Sequence, residues 1–254
     1  MSAPLDRFRL DDQVAVITGG ARGIGRATSE LFAAAGARVV IADRDQAEAA
    51  QAAKAIGKGA EAHALDVTNE AAVEAFFADV VKRAGRLDVL VNNAGTSIRK
   101  PTLELPKTDW DTVVAVNQTA VFLCTRAAAR HMLGRGGAIV NVASIMGLSG
   151  GGLYPNASYQ ATKGAVVNMT RAFAVEWARE RIRVNAVAPT WVRTGFIQPL
   201  LEKPELMEEI ARITPMGRIA EPEEVAAAIL FLACPASAMT TGHVLAVDGG
   251  FLAQ

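Results

Sequence analysis

The amino-acid sequence predicts an α/β fold, with a doubly wound sheet of seven parallel strands in a single domain. Short runs rich in β-branched residues alternate with long amphipathic segments throughout the 254 residues. The short runs are apolar at nearly every position, as expected where helices cover both faces of a parallel sheet. Right-handed crossovers between such strands give a doubly wound fold, whose ligands bind at the carboxyl ends of the strands.

The predicted strands are short, and each is followed by a helical or turn segment. They are VAVIT (14–18), RVVIA (38–42), AHAL (62–65), VLVN (89–92), AIVNVA (138–143), RVNAVA (183–188) and VLAV (244–247). Helical periodicity fills most of the chain between them, near residues 24–35, 45–56, 69–84, 107–133, 157–180 and 221–234. Thr68 and Asn69 offer caps for the third helix.

Residues 190–215 are the least regular part of the chain. They contain several prolines and a short helical piece, and they follow a predicted strand at its carboxyl end. Such a segment is typical of a mobile lid over a substrate. No internal repeat or linker divides the chain, so one domain is expected over residues 1–254.

Composition favours small-molecule chemistry. The 26 basic and 26 acidic residues balance without long runs of one sign, which argues against a nucleic-acid partner or an anionic membrane surface. The first residues lack the apolar core of a signal peptide, and the longest apolar stretches are too short to span a bilayer, so a cytoplasmic protein is expected.

Cys124 and Cys234 lie in apolar helical patterns without a metal-binding spacing, and we expect buried spectator thiols and no metal.

A glycine-rich turn follows the first strand. In TGGARGIGRA, Gly19, Gly23 and Gly25 are spaced G-x-x-x-G-x-G before an Ala-rich helix. Glycines let the backbone approach a pyrophosphate closely, and the helix N-terminus supplies amide donors and partial positive charge. Strand, glycines and helix together predict a dinucleotide site.

The residue that ends the second strand predicts which coenzyme binds. Asp43 stands where a carboxylate can accept both ribose hydroxyls, whereas a 2′-phosphate would meet like charge. Arg22 and Arg44 flank this position and can neutralise such a phosphate. The sequence therefore favours NAD and leaves NADP open. Asp45 is better placed than Asp43 to cap the next helix.

Tyr159 and Lys163 are four residues apart in NASYQATKGAV, so a helix places them on one face. An active tyrosine near pH 8 needs its pKa of about 10 lowered by about two units, roughly 2.7 kcal/mol. An ammonium about 4 Å away supplies roughly 4 kcal/mol at an effective dielectric near 20, before desolvation is subtracted. The pair is therefore adequate for a phenolate base.

With these motifs the chain resembles the short-chain dehydrogenases/reductases over essentially its whole length. The motifs that carry the resemblance occur in the family's order: TGGARGIG, DV at 66–67, NNAG at 92–95, Asn117, Ser144, the Y-x-x-x-K from Tyr159 to Lys163, RVNAVAP at 183–189 and VDGG at 247–250. The resemblance implies a Rossmann-like oxidoreductase in which Tyr159 exchanges the alcohol proton while hydride passes between the same carbon and nicotinamide. Relatives of this kind are usually homotetramers, and the small-residue helices near 107–133 and 157–180 suit mutual packing.

The resemblance also implies roles for individual residues. Lys163 would depress the pKa of Tyr159 and bond the nicotinamide ribose, Ser144 would orient the substrate oxygen, and Asn117 would hold a water for proton relay. The expected cofactor-binding residues are Gly19, Arg22, Gly23, Ile24, Gly25, Asp43, Asp66, Val67, Asn93, Ala94, Gly95, Tyr159, Lys163, Pro189, Val192 and Thr194. Thr190 departs from the family, since many members have glycine at that position.

Two substrate classes stay open. The Gly-rich segment and LYPNAS before Tyr159 resemble members that act on polyols and sugar-derived alcohols, and Asn156 and Gln198 can bond hydroxyls. Apolar residues around the same site would equally suit a 3-oxoacyl thioester reduced with NADPH. The candidate substrate residues are Ser144, Tyr154, Asn156 and Trp191, with Met146 and Phe196 as further apolar candidates. An NAD-binding regulator without activity is the alternative of another class, although all four expected catalytic residues are present.

Overall fold

The strands lie within one residue of their predicted bounds. In the computed structural model, which describes residues 4–151 and 153–254, they are β1 Val14–Thr18, β2 Arg38–Asp43, β3 Glu61–Ala64, β4 Val89–Asn92, β5 Gly137–Val142, β6 Ile182–Pro189 and β7 Val244–Val247. They form one sheet in the order β3-β2-β1-β4-β5-β6-β7, and every neighbouring pair is parallel. The strand order reverses at β1, between β2 and β4, as in a doubly wound fold. The predicted fold class is confirmed.

Helices cover both faces of this sheet. They are α1 Gly23–Ala34, α2 Gln46–Ile56, α3 Glu70–Ala84, α4 Lys107–Val114, α5 Ala120–Met132, α6 Ala157–Trp177, α7 Gln198–Leu201, α8 Pro204–Ile213 and α9 Pro222–Ala233. Of the two candidate caps before α3, Asn69 is the one used, and it accepts from the main-chain N–H of Ala72 at 3.0 Å. None of the helices within the described ranges is long and apolar enough to cross a membrane.

The helix predicted over residues 107–133 is interrupted at its middle. A π-helical turn, Ala115–Thr119, joins α4 to α5. Such a turn inserts one extra residue into the helical repeat and is frequent at functional sites. Asn117, an expected catalytic residue, lies in this turn and is fully buried. The sequence pattern, which is apolar on both sides of Asn117, does not show this interruption.

Two large hydrophobic clusters, one on each side of the sheet, form the core. On one side α1, α2 and α9 pack against the strands, with Phe32 and Ile229 among the fully buried residues. On the other side α3, α5 and α6 pack, with Phe77 and Met132 fully buried. The strands contribute to both clusters, which explains why their sequences are apolar throughout.

The segment at 190–215 has more structure than the sequence predicts. It contains α7 and α8, and Ile197, Leu200 and Ile210 are buried in a third cluster together with Ile145 and Met146. This cluster lies beyond the carboxyl ends of the strands. The segment therefore packs into a small hydrophobic cluster that it shares with Ile145 and Met146, and α8 contributes Ile210 to this cluster. Its movement as a lid stays a prediction.

Candidate active site

A cleft of about 960 Å³ opens at the carboxyl ends of the strands. Its volume is near the upper end of the range for cofactor and ligand sites. Of the residues predicted from the sequence, those that line it are Gly19, Arg22, Gly23, Ile24, Asp43, Asp66, Val67, Asn93, Ala94, Gly95, Ser144, Tyr154, Asn156, Tyr159, Lys163, Pro189, Trp191, Val192 and Thr194. Gly25 and Asn117 do not line the cleft, and they contact residues that do.

The glycine loop between β1 and α1 has the conformation that the spacing predicts. Gly19 has φ of +61° and Gly23 has φ of +52°, which L side chains rarely adopt. A Cβ on Gly25 would overlap the carbonyl oxygen of Gly19, so this position packs helix against loop. The N-cap residue of α1, Arg22, makes no capping hydrogen bond with its side chain, and the first turn of α1 has no acidic residue. The free amides and the positive end of the helix dipole fit a pyrophosphate.

Asn93 supports this loop through its side chain. Its Nδ2 donates to the main-chain oxygens of Thr18 at 3.1 Å and Gly19 at 2.9 Å. The Thr18 hydroxyl in turn accepts from the main-chain N–H groups of Asn93 and Ala94, at 3.0 and 3.2 Å. The resemblance predicts Asn93 beside the adenosine ribose through its backbone. The side chain has a different role, because it fixes the turn that the glycines make.

The acidic residues after β2 are arranged as the sequence predicts. Asp45 caps α2 by accepting from the N–H of Glu48 at 3.1 Å. Asp43 lines the cleft and accepts from the N–H groups of Ala21 at 3.3 Å and Asp45 at 3.1 Å. Arg22 lies 2.8 Å from Asp45 and 3.2 Å from Glu48, and these carboxylates raise its pKa, Glu48 most. The Arg22 charge is therefore already compensated by protein carboxylates.

Asp66 and Val67 mark the far end of the cleft, beside β3. The carboxylate of Asp66 accepts from the hydroxyl and the N–H of Thr68, at 2.7 and 2.9 Å, and these bonds lower its pKa. Val67 is nearly buried in the core cluster under α3. Both line the cleft, at the end where the resemblance predicts adenine contacts.

The expected acid/base residues converge at the other end of the cleft. Tyr159 and Lys163 share a face of α6, and the Lys163 ammonium lies 5.5 Å from the centre of the Tyr159 ring. Ser144 follows β5 and lines the cleft together with Tyr159, and the Ser144 side chain lowers the Tyr159 pKa. Ser144 Oγ also accepts from the N–H of Met146 at 3.1 Å, so it caps a short helical turn while its own hydrogen stays available to donate.

The electrostatics of this pair differ from the expectation. Burial raises the pKa of Tyr159 to about 12, and the groups that oppose this rise are Ser144 and Arg99. Burial also lowers the pKa of Lys163 to about 8, while its ammonium donates to the main-chain oxygen of Val142 at 2.6 Å. The expectation that the neighbouring ammonium makes Tyr159 acidic is therefore wrong for the free protein. Desolvation is the largest cause of the rise, and Lys163 is not among the groups that oppose it, which the sequence cannot show.

Asn117 joins three parts of the site. Its Nδ2 donates to the main-chain oxygen of Thr96 at 2.9 Å and to the hydroxyl of Thr162 at 3.2 Å. Its Oδ1 accepts from the N–H of Thr96 at 2.8 Å. The polar network predicted around this buried amide is present. Because both amide hydrogens are used, the side chain could hold a water only through its oxygen.

The candidate substrate residues line the cleft next to Tyr159. The indole N–H of Trp191 donates to the hydroxyl of Tyr154 at 3.1 Å. Asn156 is nearly buried, and its Oδ1 accepts from the hydroxyl of Ser97 at 3.2 Å. Met146 and Phe196 line the same region, whereas Gln198 does not line the cleft and donates to Glu202 at 3.2 Å.

Thr190 is accommodated without strain. It is not among the residues of positive φ, and its N–H continues the pairing of β6 by donating to Val247 at 3.1 Å. The residue lines the cleft, and its hydroxyl oxygen is buried without a hydrogen-bond partner in the described part of the chain. Where many members of the family have glycine, this chain therefore has a polar side chain.

The sequence pattern does not reveal several other lining residues, and the two polar ones of greatest interest are Ser97 and Arg99. They follow the NNAG motif by two and four residues, beyond the carboxyl end of β4. Their position at this edge of the sheet is the signal that could have revealed them. No local pattern shows that their side chains turn towards Tyr154 and Asn156.

Comparisons with known proteins agree with this geometry. The family model described as "Enoyl-(Acyl carrier protein) reductase" matches residues 19–252. The galactitol 2-dehydrogenase (L-tagatose-forming) of Cereibacter sphaeroides is 44% identical over 246 residues, which cover 96% of each chain.

Two solved structures have the same fold over nearly the whole chain. A gluconate 5-dehydrogenase from Burkholderia cenocepacia J2315, in complex with NADP and tartrate, has a TM-score of 0.95 at 37% identity and covers 99% of this chain and 100% of its own. A 3-ketoacyl-(acyl-carrier-protein) reductase from Brucella melitensis, complexed with NADH, has a TM-score of 0.88 at 38% identity and covers 95% of this chain and 99% of its own.

Proposed function

This chain belongs to the short-chain dehydrogenase/reductase family, whose named relatives act on CH–OH groups, and from that premise we propose an NAD(H)-dependent polyol dehydrogenase. The substrate is a secondary alcohol of a polyol or sugar-derived compound, which is interconverted with the ketone. The observation that carries the proposal is the convergence of Ser144, Tyr159 and Lys163 at one end of a cleft whose other end is built for a dinucleotide.

The proposed dinucleotide site uses five features of the chain. The uncapped start of α1 holds the pyrophosphate, Asp43 accepts the ribose hydroxyls, and Asp66 with Val67 contacts the adenine. Lys163 bonds the nicotinamide ribose. Pro189, Val192 and Thr194 contact the nicotinamide end, and a Cβ on Gly23 would lie 3.0 Å from the methyl group of Thr194, so the two sides of the cleft approach closely there. When bound, a nicotinamide dinucleotide accepts hydride in alcohol oxidation and donates it in ketone reduction.

The preference for NAD over NADP rests on charge. Asp43 repels a 2′-phosphate, and the neighbouring Arg22 is engaged by Asp45 and Glu48. A 2′-phosphate would have to compete with two carboxylates for that guanidinium. Relatives of both kinds are known, since the gluconate 5-dehydrogenase structure contains NADP and the 3-ketoacyl reductase structure contains NADH.

The proposed chemistry assigns one task to each side chain. Ser144 donates a hydrogen bond to the substrate oxygen, because its Oγ takes part in the helical cap only as the acceptor from Met146 and its hydroxyl hydrogen is left for a ligand. Tyr159 Oη takes the hydroxyl proton in oxidation and returns it in reduction. Asn117 fixes α6 to the loop after β4 and holds a water by its oxygen for proton relay.

A 3-oxoacyl thioester or other ketone reductase using NADPH is the second candidate. The similarity to the 3-ketoacyl-(acyl-carrier-protein) reductase structure and the apolar cluster of Ile145, Met146 and Trp191 beside the cleft favour it. An inactive NAD-binding regulator is the third, and the presence of the full set of catalytic side chains argues against it.

The deciding experiment offers the purified protein polyols, simple secondary alcohols and β-keto esters with each coenzyme, and follows absorbance of the reduced nicotinamide. We expect oxidation of polyols with NAD and a loss of that activity in Tyr159→Phe. Efficient reduction of β-keto esters with NADPH, without polyol oxidation, would establish the second candidate. Tight coenzyme binding without turnover of any compound would favour the regulator.

The proposal includes a homotetramer in the cytoplasm. Trp110 and Phe122 on the α4–α5 side and Val175 on α6 are large apolar side chains exposed in the single chain, and an interface would cover them. Both cysteines are free and buried, as expected, which suits a reducing compartment. Sedimentation velocity at working concentration tests the assembly, and a stable monomer would contradict it.

A further inference from the structure

Arg99 lies in the substrate half of the cleft. Its guanidinium carbon is 5.3 Å from the centre of the Tyr154 ring and 5.6 Å from the centre of the Phe196 ring. Phe196 also packs against Tyr159, with ring centres 6.1 Å apart. The Phe196 ring therefore lies between Arg99 and Tyr159. A single small molecule can span this ring, with one group bound to Arg99 and its reacting carbon at Tyr159.

The charge of Arg99 is not compensated by the protein. Within residues 4–151 and 153–254 it forms no ion pair, and its one hydrogen bond, to the main-chain oxygen of Phe196, is long at 3.5 Å. Among the described residues that line the cleft, the carboxylates are Asp43 and Asp66, both at the nucleotide end beside β2 and β3. The other cation of the substrate half, Lys163, already donates to Val142.

The donors of Arg99 are largely unused. Its Nε is buried and has no acceptor in the part of the chain that the structure describes. A buried donor without a partner costs about 1–3 kcal/mol, so natural proteins rarely keep one without a reason. The guanidinium has five N–H donors in a planar fork that matches a carboxylate. The two aromatic rings hold this fork in place while leaving it available to a ligand.

We propose that Arg99 binds a carboxylate of the substrate, so that the preferred substrate is a polyhydroxy acid instead of a neutral polyol or a thioester. This inference rests on the proposed function, whose substrate class it narrows. A single guanidinium matches the single charge of a carboxylate, whereas a phosphate dianion would leave one charge uncompensated. The hydroxyls of such an acid would meet Asn156 and Ser144 between the carboxylate and Tyr159.

The test compares substrates that differ only in charge. Gluconate and galactonate are offered with NAD beside their neutral amides, the matching hexitols and a hexitol 6-phosphate, and kcat/KM is measured for wild-type protein, Arg99→Met and Lys100→Met. Lys100 is the matched control, since it neighbours Arg99 in sequence but pairs with Asp109 outside the cleft. Calorimetric titration of acid and amide into the coenzyme-loaded protein provides a readout independent of turnover.

We expect the wild-type protein to prefer acid over amide by at least ~10-fold in kcat/KM and in affinity, equivalent to about 1.4 kcal/mol. In Arg99→Met this ratio should fall to near one, while Lys100→Met keeps it. A general loss of activity in Arg99→Met with an unchanged ratio would indicate a structural role and overturn the inference. Preference for hexitols, amides or the phosphate in the wild-type protein would also overturn it, and these outcomes leave the proposed dehydrogenase intact. Absence of turnover on every compound, with coenzyme still bound, would instead refute the proposed function.

Discussion

The ammonium of Lys163 lies 5.5 Å from the centre of the Tyr159 ring and donates to the main-chain oxygen of Val142 at 2.6 Å. Burial acts on both groups in the direction that favours their neutral forms, since it raises the pKa of Tyr159 to about 12 and lowers that of Lys163 to about 8. In the free protein near pH 7 the Tyr159 phenol is therefore neutral, and the charged form of Lys163 destabilises the folded state. Both facts have measurable consequences.

Alcohol oxidation should accelerate with pH. Tyr159 can accept the substrate proton only as the phenolate, and its high pKa means that the phenolate fraction rises about tenfold per pH unit below that pKa. We expect kcat/KM for oxidation to rise between pH 6 and pH 9, and kcat/KM for ketone reduction, which uses the neutral phenol, to stay nearly constant. Profiles in both directions test this, and a flat oxidation profile would exclude Tyr159 as the base.

Loss of the Tyr159 hydroxyl should abolish turnover and spare coenzyme binding. In Tyr159→Phe the ring remains packed beside Phe196, and only the proton-transferring group is removed. We expect kcat to fall at least ~10²-fold, as for other general acid/base groups. Quenching of protein fluorescence by the coenzyme provides the binding constant. Tyr154→Phe, which loses a hydroxyl that accepts from Trp191, is the matched control and should retain turnover within about tenfold.

Replacement of Lys163 by methionine should stabilise the free protein at neutral pH. The folded-state pKa of about 8 lies about two units below the unfolded value, so holding the charge below pH 8 costs about 3 kcal/mol. The lost bond to Val142 offsets about 1 kcal/mol. The cost applies below the folded pKa and disappears as pH rises from about 8 to about 10.4. Lys163→Met should therefore be more stable by about 2 kcal/mol at pH 7 and lose this advantage near pH 10.

Denaturant unfolding at the two pH values measures that difference. Lys82→Met is the control, because Lys82 is an exposed residue of α3 and its replacement should change stability by less than about 0.5 kcal/mol. Equal effects of the two substitutions at pH 7 would show that the Lys163 site does not penalise charge.

The coenzyme preference should respond to the charges around Arg22. Asp43→Ala removes the carboxylate proposed to bond the ribose, and we expect the NAD/NADP ratio of kcat/KM to fall at least ~10-fold. The double variant Asp45→Asn, Glu48→Gln releases Arg22 from both of its partners and should raise kcat/KM with NADP. Asparagine at position 45 can still cap α2. Glu30→Gln is the control. It breaks the ion pair between Arg26 and Glu30, whose charged atoms are 2.6 Å apart and which does not line the cleft, so it should leave the NAD/NADP ratio unchanged.

A methyl group at position 25 should disrupt the glycine loop. The Cβ of alanine would overlap the main-chain oxygen of Gly19 and approach the side-chain amide of Asn93. We expect Gly25→Ala to lose about 1–3 kcal/mol of stability and most of its coenzyme affinity. Gly150→Ala is the control, since no atom of the residues that the structure describes lies within 4 Å of a Cβ at that position. Unchanged coenzyme affinity in Gly25→Ala would show that the loop relaxes without cost.

The sequence is informative where structure depends on local pattern. The strands are predicted within one residue because apolar runs end at turn residues, and Asp45 and Asn69 cap helices because their side chains reach N–H groups three residues ahead. It is less informative at the π turn around Asn117. The bonds to Thr96 and Thr162 that accompany this turn come from other elements, and no periodicity records them.

The amino-acid sequence by itself determined the doubly wound sheet, the glycine loop before α1 and the common face of Tyr159 and Lys163, because each follows from residues close together in the chain. The tertiary structure alone decided the protonation of that pair and the placement of Arg99 between two rings. Burial and charge at a site are sums over atoms from distant elements, so they exist only after the chain has folded.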